Sequence, residues 1–295
     1  MTNLIRVMLC TAALATAGGA SAQEAAPSDQ STIDVTGARP SKEAIRDFVR
    51  DLAPVAPSIK MSRFEHVVCP SVFGLPPNQA AAVANRMRVV AKGVGIAVGG
   101  ASCTPNVVVI VTSDKKSLLE QLRLQKPDYF GDLGGKKIAM LEAQPGPAAA
   151  WQIAGLDVNA DGVDIQWDPT YDLPTNRTLA PSSRMHVAAS PTFDAAVVVV
   201  ERGSLAGLTT TQLADYAAMR AFAGADPARI GNSNVPTILR VLDAPMGTAV
   251  PITLTSWDFG FLRGLYNAQA NLRSAAQRSA IGDSMNGDLH ARDHK

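Results

Sequence analysis

Residues 61–111 read MSRFEHVVCP SVFGLPPNQA AAVANRMRVV AKGVGIAVGG ASCTPNVVVI V, and their apolar pattern is the clearest indication of the architecture. Its apolar pattern predicts two strands separated by a helix, at Met61–Val68, Gln79–Lys92 and Val107–Val111. The five aliphatic residues of the last segment are typical of a strand that is buried on both faces. The stretch therefore predicts a sheet whose faces are covered by helices.

Two cysteines in this stretch, Cys69 and Cys103, set a condition on the topology. In an exported protein two thiols are expected to form one disulfide, which requires Cα atoms within about 7 Å. If Cys69 ends a strand and Cys103 precedes its parallel neighbour, the two residues lie at opposite ends of the sheet. A hairpin of Val94–Val98 with Val107–Val111 removes this conflict, because Cys103 then lies in the hairpin loop. The sequence thus predicts a strand-helix-hairpin unit with a structural disulfide.

The amino terminus has the pattern of a secretory signal peptide. Arg6 precedes the apolar run Val7–Ala17, and Ala20-Ser21-Ala22 fits the small-residue cleavage rule, so residues 1–22 are predicted to be removed. The third cysteine, Cys10, leaves with them. No later apolar stretch approaches the ~20 residues of a transmembrane helix. We therefore expect a periplasmic or secreted protein with no transmembrane segment in the mature chain.

The remaining sequence predicts one α+β (or α/β) domain with a mixed central sheet and a helical C-terminal part. Ala195–Val200 is a second buried aliphatic strand, and capping signals at Thr209 and Thr255 open two helices. Residues 23–32 are predicted to be a flexible lead-in, residues 33–281 one domain, and residues 282–295 a flexible tail. The best candidate for an internal boundary within the domain is the segment 134–147.

Composition and motif content exclude several classes of function. Without Arg6 the mature chain holds 26 basic and 26 acidic residues, so no basic surface for nucleic acid is expected. The sequence contains no G-x-S-x-G, H-E-x-x-H, P-loop or G-x-G-x-x-G motif. No cofactor is therefore expected.

Two groups of polar residues are candidate sites. The first group is Asp215, Tyr216, Arg220 and Asp258. Its first three members lie on one predicted helix, and Asp258 lies at the start of another. The alternative for this group is helix surface or Asp–Arg pairing between helices. The second group, in a D-x-[DN]-x-[DN]-G pattern of calcium loops, is Asp157, Asn159, Asp161 and Asp168. The alternative for the second group is a polar hairpin with a turn at Asp161-Gly162, and no metal is the expected outcome.

Four segments together resemble a group of secreted, uncharacterised alphaproteobacterial proteins: Val68–Pro70 with Gly74-Leu75, Cys103–Val107, Gln212–Arg220 and Leu254–Tyr266. The resemblance covers most of the mature chain and implies no known activity. The chain is also faintly similar to zincin-like peptidase domains. The helix that would carry H-E-x-x-H in them is Thr210–Ala223 here, and it has no histidine, so this similarity implies a relative without peptidase activity.

The function predicted from the sequence is that of an exported, non-catalytic binding or accessory protein of the cell envelope, with an envelope protein or a small ligand as its partner. The alternative is an exported hydrolase or a degenerate zincin-like pseudo-peptidase. A second alternative is a calcium-stabilised secreted module.

Overall fold

The computed structural model describes residues 40–53, 60–180, 182–184, 186–231, 234–245 and 247–290. The predicted signal peptide and lead-in lie outside these residues and stay predictions. Within the described residues the helices are α1 (Lys42–Leu52), α2 (Pro77–Gly93), α3 (Lys115–Gln125), α4 (Gly135–Ala143), α5 (Thr210–Ala223), α6 (Ser256–Asn267) and α7 (Ser274–His290). The strands are β1 (Pro70–Phe73), β2 (Val107–Thr112), β3 (Ala148–Ala154), β4 (Val158–Asn159), β5 (Gln166–Asp168), β6 (Leu173–Thr175), β7 (Ala189–Ser190) and β8 (Phe193–Glu201).

The main sheet is mixed, with the strand order β1-β2-β8-β3. Strands β1, β2 and β8 are parallel, with Val107 opposite Ala196 in the central pair, and β3 runs antiparallel to β8 along one edge. The two aliphatic runs predicted as buried strands occupy the two central positions, β2 and β8. The α+β fold predicted from the sequence is therefore confirmed.

Helices cover both faces of this sheet, because alternate side chains of β8 point to opposite faces. Ala196, Val198 and Val200 belong to a large core with residues of α1, α2, α5, α6 and α7. Val197 and Val199 belong to a smaller core with residues of α3 and α4. Full burial of one such aliphatic side chain stabilises the fold by about 1.5–3 kcal/mol. The result is a sheet with one thick and one thin helical layer.

The disulfide between Cys69 and Cys103 is formed, but the predicted strand-helix-hairpin topology is wrong. The sulfur atoms are 2.03 Å apart and the Cα atoms 6.0 Å apart. Met61–Val68 makes only isolated bridges at Arg63 and Val68, and the strand begins after Cys69. Cys69 therefore precedes β1 just as Cys103 precedes β2, and the starts of parallel neighbours lie at the same end of a sheet. No hairpin is needed, and within Val94–Val98 only Val98 makes a bridge.

Two further predictions differ from the structure, and the hairpin at Asp161-Gly162 forms only in a short version. Helix α2 starts at Pro77, earlier than the predicted Gln79. The Asn159 N–H donates to the Val163 carbonyl and the Ile165 N–H to the Asp157 carbonyl across the Asp161-Gly162 turn, while β3 pairs with β8. Residues 282–290, predicted as a tail, continue α7, since Ile281 and Met285 bury one face of that helix. Within the described residues, no helix has both the length and the apolar composition to cross a bilayer.

Candidate functional site

Helix α5 carries three of the predicted polar residues into the interior. Thr209 accepts the N–H of Gln212 while the Gln212 side chain accepts the N–H of Thr209, so the predicted capping box fixes the start of the helix. Gly224, with φ of 61°, ends it. All residues from Gln212 to Ala223 are buried, so α5 is a central helix rather than a surface one.

Asp215 is fully buried and all its hydrogen bonds are made within the fold. Arg86 of α2 donates from Nε and Nη2 to its two oxygens at 2.7 and 3.0 Å. The Thr253 hydroxyl and the Leu254 N–H donate at 2.6 and 2.7 Å. A buried carboxylate whose two oxygens both accept hydrogen bonds from other elements holds those elements together. The predicted alternative of Asp–Arg pairing between helices is thus realised, with Arg86 as the partner.

Asp258 is also fully buried, where it caps α6. Its carboxylate accepts bonds from the Thr255 N–H and hydroxyl, the Thr237 hydroxyl and the Ile238 N–H, all between 2.6 and 3.0 Å. Burial raises its pKa to about 6 although these four donors lower it. The consecutive N–H groups of Leu254 and Thr255 bind Asp215 and Asp258 respectively, so the structure joins the two aspartates in one internal polar network.

Arg220 and Tyr216 lie apart from that network. Arg220 Nη1 donates to the Tyr216 hydroxyl at 2.8 Å, and its Cζ lies 5.7 Å from the centroid of the Tyr216 ring. Burial raises the pKa of Tyr216, so its hydroxyl stays protonated at neutral pH. Arg220 lines a cavity of about 150 Å³ between α5, β3 and the end of α4. The four predicted residues thus form two sites, and Arg220 faces open space whereas both aspartates are enclosed.

The residues of the calcium pattern shape a turn. Asn159 Oδ1 accepts the N–H groups of Asp161 and Val163 at 2.9 and 3.0 Å, which ties its oxygen to the backbone. Asp161 accepts the Thr178 hydroxyl, and Asp168 accepts the Thr170 N–H. In the part of the chain that the structure describes, no three His, Cys, Asp or Glu side chains gather as a metal site requires.

This turn belongs to an acidic lobe, which we define as residues 156–179. The lobe includes β4, β5 and β6 and contains five aspartates and one arginine. Large apolar side chains are exposed on it: Leu156, Val163, Trp167, Tyr171, Leu173 and Leu179. Trp167 is 59 % exposed. A groove of about 380 Å³ lies beside it, with Val163, Asp164 and Asp168 among its lining residues.

The sequence analysis missed a lysine–serine contact. Lys60 Nζ donates to Ser190 Oγ at 2.7 Å, and both groups bond the carbonyl of Ala270. Burial lowers the pKa of Lys60 to about 8. A lysine of lowered pKa beside a serine is a known way to activate a nucleophile. Ser190 is only 3 % exposed, however, so the contact holds β7 against the segment between α6 and α7.

Comparison of the chain with protein-family models, with curated proteins and with solved structures finds no match. The function is therefore inferred from the residues of the chain itself.

Proposed function

We propose that the chain is an exported, non-catalytic accessory protein of the cell envelope. Three features support this proposal. The leader has the pattern of a signal peptide, and a disulfide is typical of proteins that work in an oxidising compartment. Asp215 and Asp258, the best candidates for acid–base chemistry, are enclosed and hydrogen-bonded.

The observation that carries the proposal is the acidic lobe with its exposed aromatic side chains. Trp167 and Tyr171 are 59 % and 72 % exposed, and an exposed apolar surface bordered by polar residues is typical of an interaction site. Trp and Tyr are also the residues that most often dominate binding energy. The lobe carries four more negative than positive charges, which favours a cationic partner because opposite charges steer association.

The partner that fits this surface is a protein segment with alternating cationic and apolar side chains. Its apolar side chains would pack against Trp167 and Val163 in the groove, and its Lys or Arg side chains would pair with Asp164 and Asp168. Val163 and Trp167 are already exposed, so binding would need no movement of the core.

Fluorescence anisotropy with a short fluorescein-labelled peptide of alternating Lys and Leu tests this proposal. We expect saturable binding that weakens at high salt, and no binding of the matched Glu-Leu peptide. Trp167→Ala should weaken binding about 30-fold, which corresponds to the ~2 kcal/mol of an anchor residue. Asp164→Asn with Asp168→Asn should weaken it about tenfold, since asparagine keeps the acceptor oxygen but not the charge.

Matched controls lie outside the lobe. Leu124→Ala removes another exposed apolar side chain, 73 % exposed on α3, and should leave the affinity unchanged. Asp128→Asn with Asp132→Asn removes two exposed charges elsewhere and should also leave it unchanged. Equal binding by the lobe variants and the controls, or no saturable binding of the Lys-Leu peptide to the wild-type chain, would contradict the proposal.

A further inference from the structure

The outer edge of β3 is an open edge of the main sheet. β3 is the last strand in the order β1-β2-β8-β3, so it pairs with β8 on one side only. The Glu201 N–H donates to the carbonyl of Pro147, and the Gly155 N–H donates to the carbonyl of Thr192, so the odd-numbered residues of this segment face β8. Because backbone groups alternate along a strand, the even-numbered residues of β3 point away from the sheet.

Three of these residues have outward backbone groups that can accept another strand. They are Ala150, Gln152 and Ala154, and among the described residues no hydrogen bond reaches the outward N–H and C=O groups of these three. Ala150 and Gln152 are half-buried and Ala154 is exposed, whereas Ala148 at the start of the strand is buried. The open part of the edge therefore runs from Ala150 to Ala154.

The opposite edge of the sheet, at β1, is protected, and this contrast sets the β3 edge apart. In β1, which has only four residues, Pro70 has no N–H and its carbonyl accepts a hydrogen bond from Arg88 at 3.1 Å. β3 has seven residues, Ala148–Ala154, with no charged residue and no proline. The register shift between β3 and β8 leaves Asp194 of β8 as the extra residue, so it does not disturb the outer edge. Natural sheets protect their edges with short strands, prolines and charges, and an edge without them is a template for a further strand.

The space beside this edge restricts what can pair there. A cavity of about 150 Å³ is lined by Ala150 and Gln152 of β3, by Leu141 and Gln144 at the end of α4, and by Gly224–Asp226 after α5. It has the room of about five water molecules of 30 Å³, which is too little for a helix about 10 Å wide. The β3 edge of a second copy would bring its own α4 and α5 into the same space. A single extended segment, entering from the open end at Ala154, is the occupant that fits.

The charges around the edge do not select a charged partner. Arg220 and Asp226 line the cavity and have opposite charges. The neighbouring charged groups are Lys115, which interacts with Glu201, and Asp243, which interacts with Arg220. Three carboxylates thus surround two cations, a difference of one charge. Backbone pairing, rather than charge, is therefore the interaction that this edge offers, and an uncharged segment suits it.

We propose that the outer edge of β3 binds an extended, uncharged segment of a partner protein as a fifth strand of the main sheet. The backbone of the segment pairs with the outward groups of Ala150, Gln152 and Ala154, and its side chains alternate between the α4 side and the α5 side. In complexes of this kind the main-chain hydrogen bonds give the affinity. This surface is separate from the acidic lobe, so either can bind its partner without the other.

Fluorescence anisotropy of the mature chain with a heptapeptide of alternating Thr and Val, carrying an uncharged fluorophore, tests the proposal. Binding should be saturable and unchanged at high salt, unlike the binding of the Lys-Leu peptide to the lobe. Two further peptides carry N-methyl groups, one on all its Thr residues and the other on all its Val residues. Only one of these sets of N–H groups can face β3, so one methylated peptide should bind at least tenfold more weakly and the other should bind like the parent.

Proline variants of the chain test the same hydrogen bonds from the other side. Ala150→Pro and Ala154→Pro each remove an outward N–H but no hydrogen bond to β8, which is where edge strands tolerate proline. Each should lower the affinity at least tenfold and keep the melting temperature within about 4 °C of the wild-type value. Val89→Ala removes an exposed apolar side chain on α2, and Trp167→Ala removes one in the lobe; both should leave the affinity unchanged.

The outcomes separate this proposal from binding at the lobe. The N-methylated peptides keep the test decisive where a proline variant does not fold. Absence of saturable binding by the wild-type chain, equal affinities for the two methylated peptides, or unchanged affinity in both folded proline variants would overturn the proposal. Loss of binding in Trp167→Ala would also overturn it, because the peptide would then lie on the lobe.

Discussion

Removing the Cys69–Cys103 disulfide should cost the protein a calculable part of its stability. The bond closes a loop of 34 residues that contains β1 and α2. Loop-closure entropy for this length corresponds to about 4 kcal/mol at 25 °C, nearly all of it from the restriction of the unfolded chain. For a domain of this size, each kcal/mol shifts the melting temperature by about 2–4 °C. We therefore expect a melting temperature lower by about 8–16 °C.

The measurement is urea unfolding of the mature chain, compared with the variant Cys69→Ala with Cys103→Ala. Wild-type chain held in reducing agent is the control, since it keeps both sulfur atoms and loses only the cross-link. The variant and the reduced chain should lose the same free energy of unfolding. A loss below about 1 kcal/mol in both would refute the reasoning, because the unfolded chain would then gain little freedom when the loop opens.

Three further predictions concern the contact between α6 and α7, the buried carboxyl group of Asp258 and the signal peptide. A Cβ at Gly264 would lie 3.0 Å from the backbone of Ile281 in α7, so Gly264→Ala should lose about 1–3 kcal/mol in urea unfolding; Gly260→Ala, whose Cβ has 3.5 Å of room, should change stability by less than about 1 kcal/mol, and equal losses would argue against this close helix contact. The pKa of Asp258 is raised to about 6, so its contribution to stability is complete below about pH 4 and is lost as the pH rises through 6; Asp258→Asn should gain in melting temperature relative to wild type across that window, and a constant difference would contradict the raised pKa. Amino-terminal sequencing of the exported chain should start at Gln23, and an intact Met1 would contradict the signal peptide.

Local signals in the sequence predicted the starts of α5 and α6 and the central strands, whereas α4 (Gly135–Ala143) lies in the stretch predicted as an internal boundary and was missed. Thr209 and Thr255 each cap a helix where the sequence places one, because a cap is satisfied by residues within one turn. The valine run of β8 is buried on both faces, as aliphatic runs in parallel sheets are, whereas alternate residues of β2 are only half-buried. These features depend on neighbours in the chain, which the sequence displays directly.

Pairing between distant segments was less predictable. Met61–Val68 has the apolar content of a strand but makes only isolated bridges, whereas the four-residue segment Pro70–Phe73 pairs with β2. Strand formation depends on the neighbour that a segment meets, so propensity alone could not place it. This shift of a few residues moved Cys69 from the end of a strand to its beginning and made the disulfide compatible with parallel strands.

The sequence analysis named the residues of the polar site, but it did not predict that they form two separate sites. Asp215 and Arg220 are five positions apart on α5, which turns their side chains about 140° from each other. Asp215 accepts hydrogen bonds from Arg86 and Thr253, which lie far from it in the sequence, whereas Arg220 lines a cavity. This cavity is lined by residues of several elements, so no local pattern in the sequence indicated it.

The strand order has a consequence for the time at which the protein folds. The central pair of the sheet joins β2 to β8 with residue 107 opposite residue 196, so nearly ninety residues separate the partners. Contacts between such distant segments slow folding, because the loop entropy is lost before the contact stabilises anything. The sheet cannot be completed until β8 has been synthesised, late in the chain. Under the export proposed above, in which the chain would cross a membrane unfolded, this delay would keep the chain competent for transport until most of it has been made.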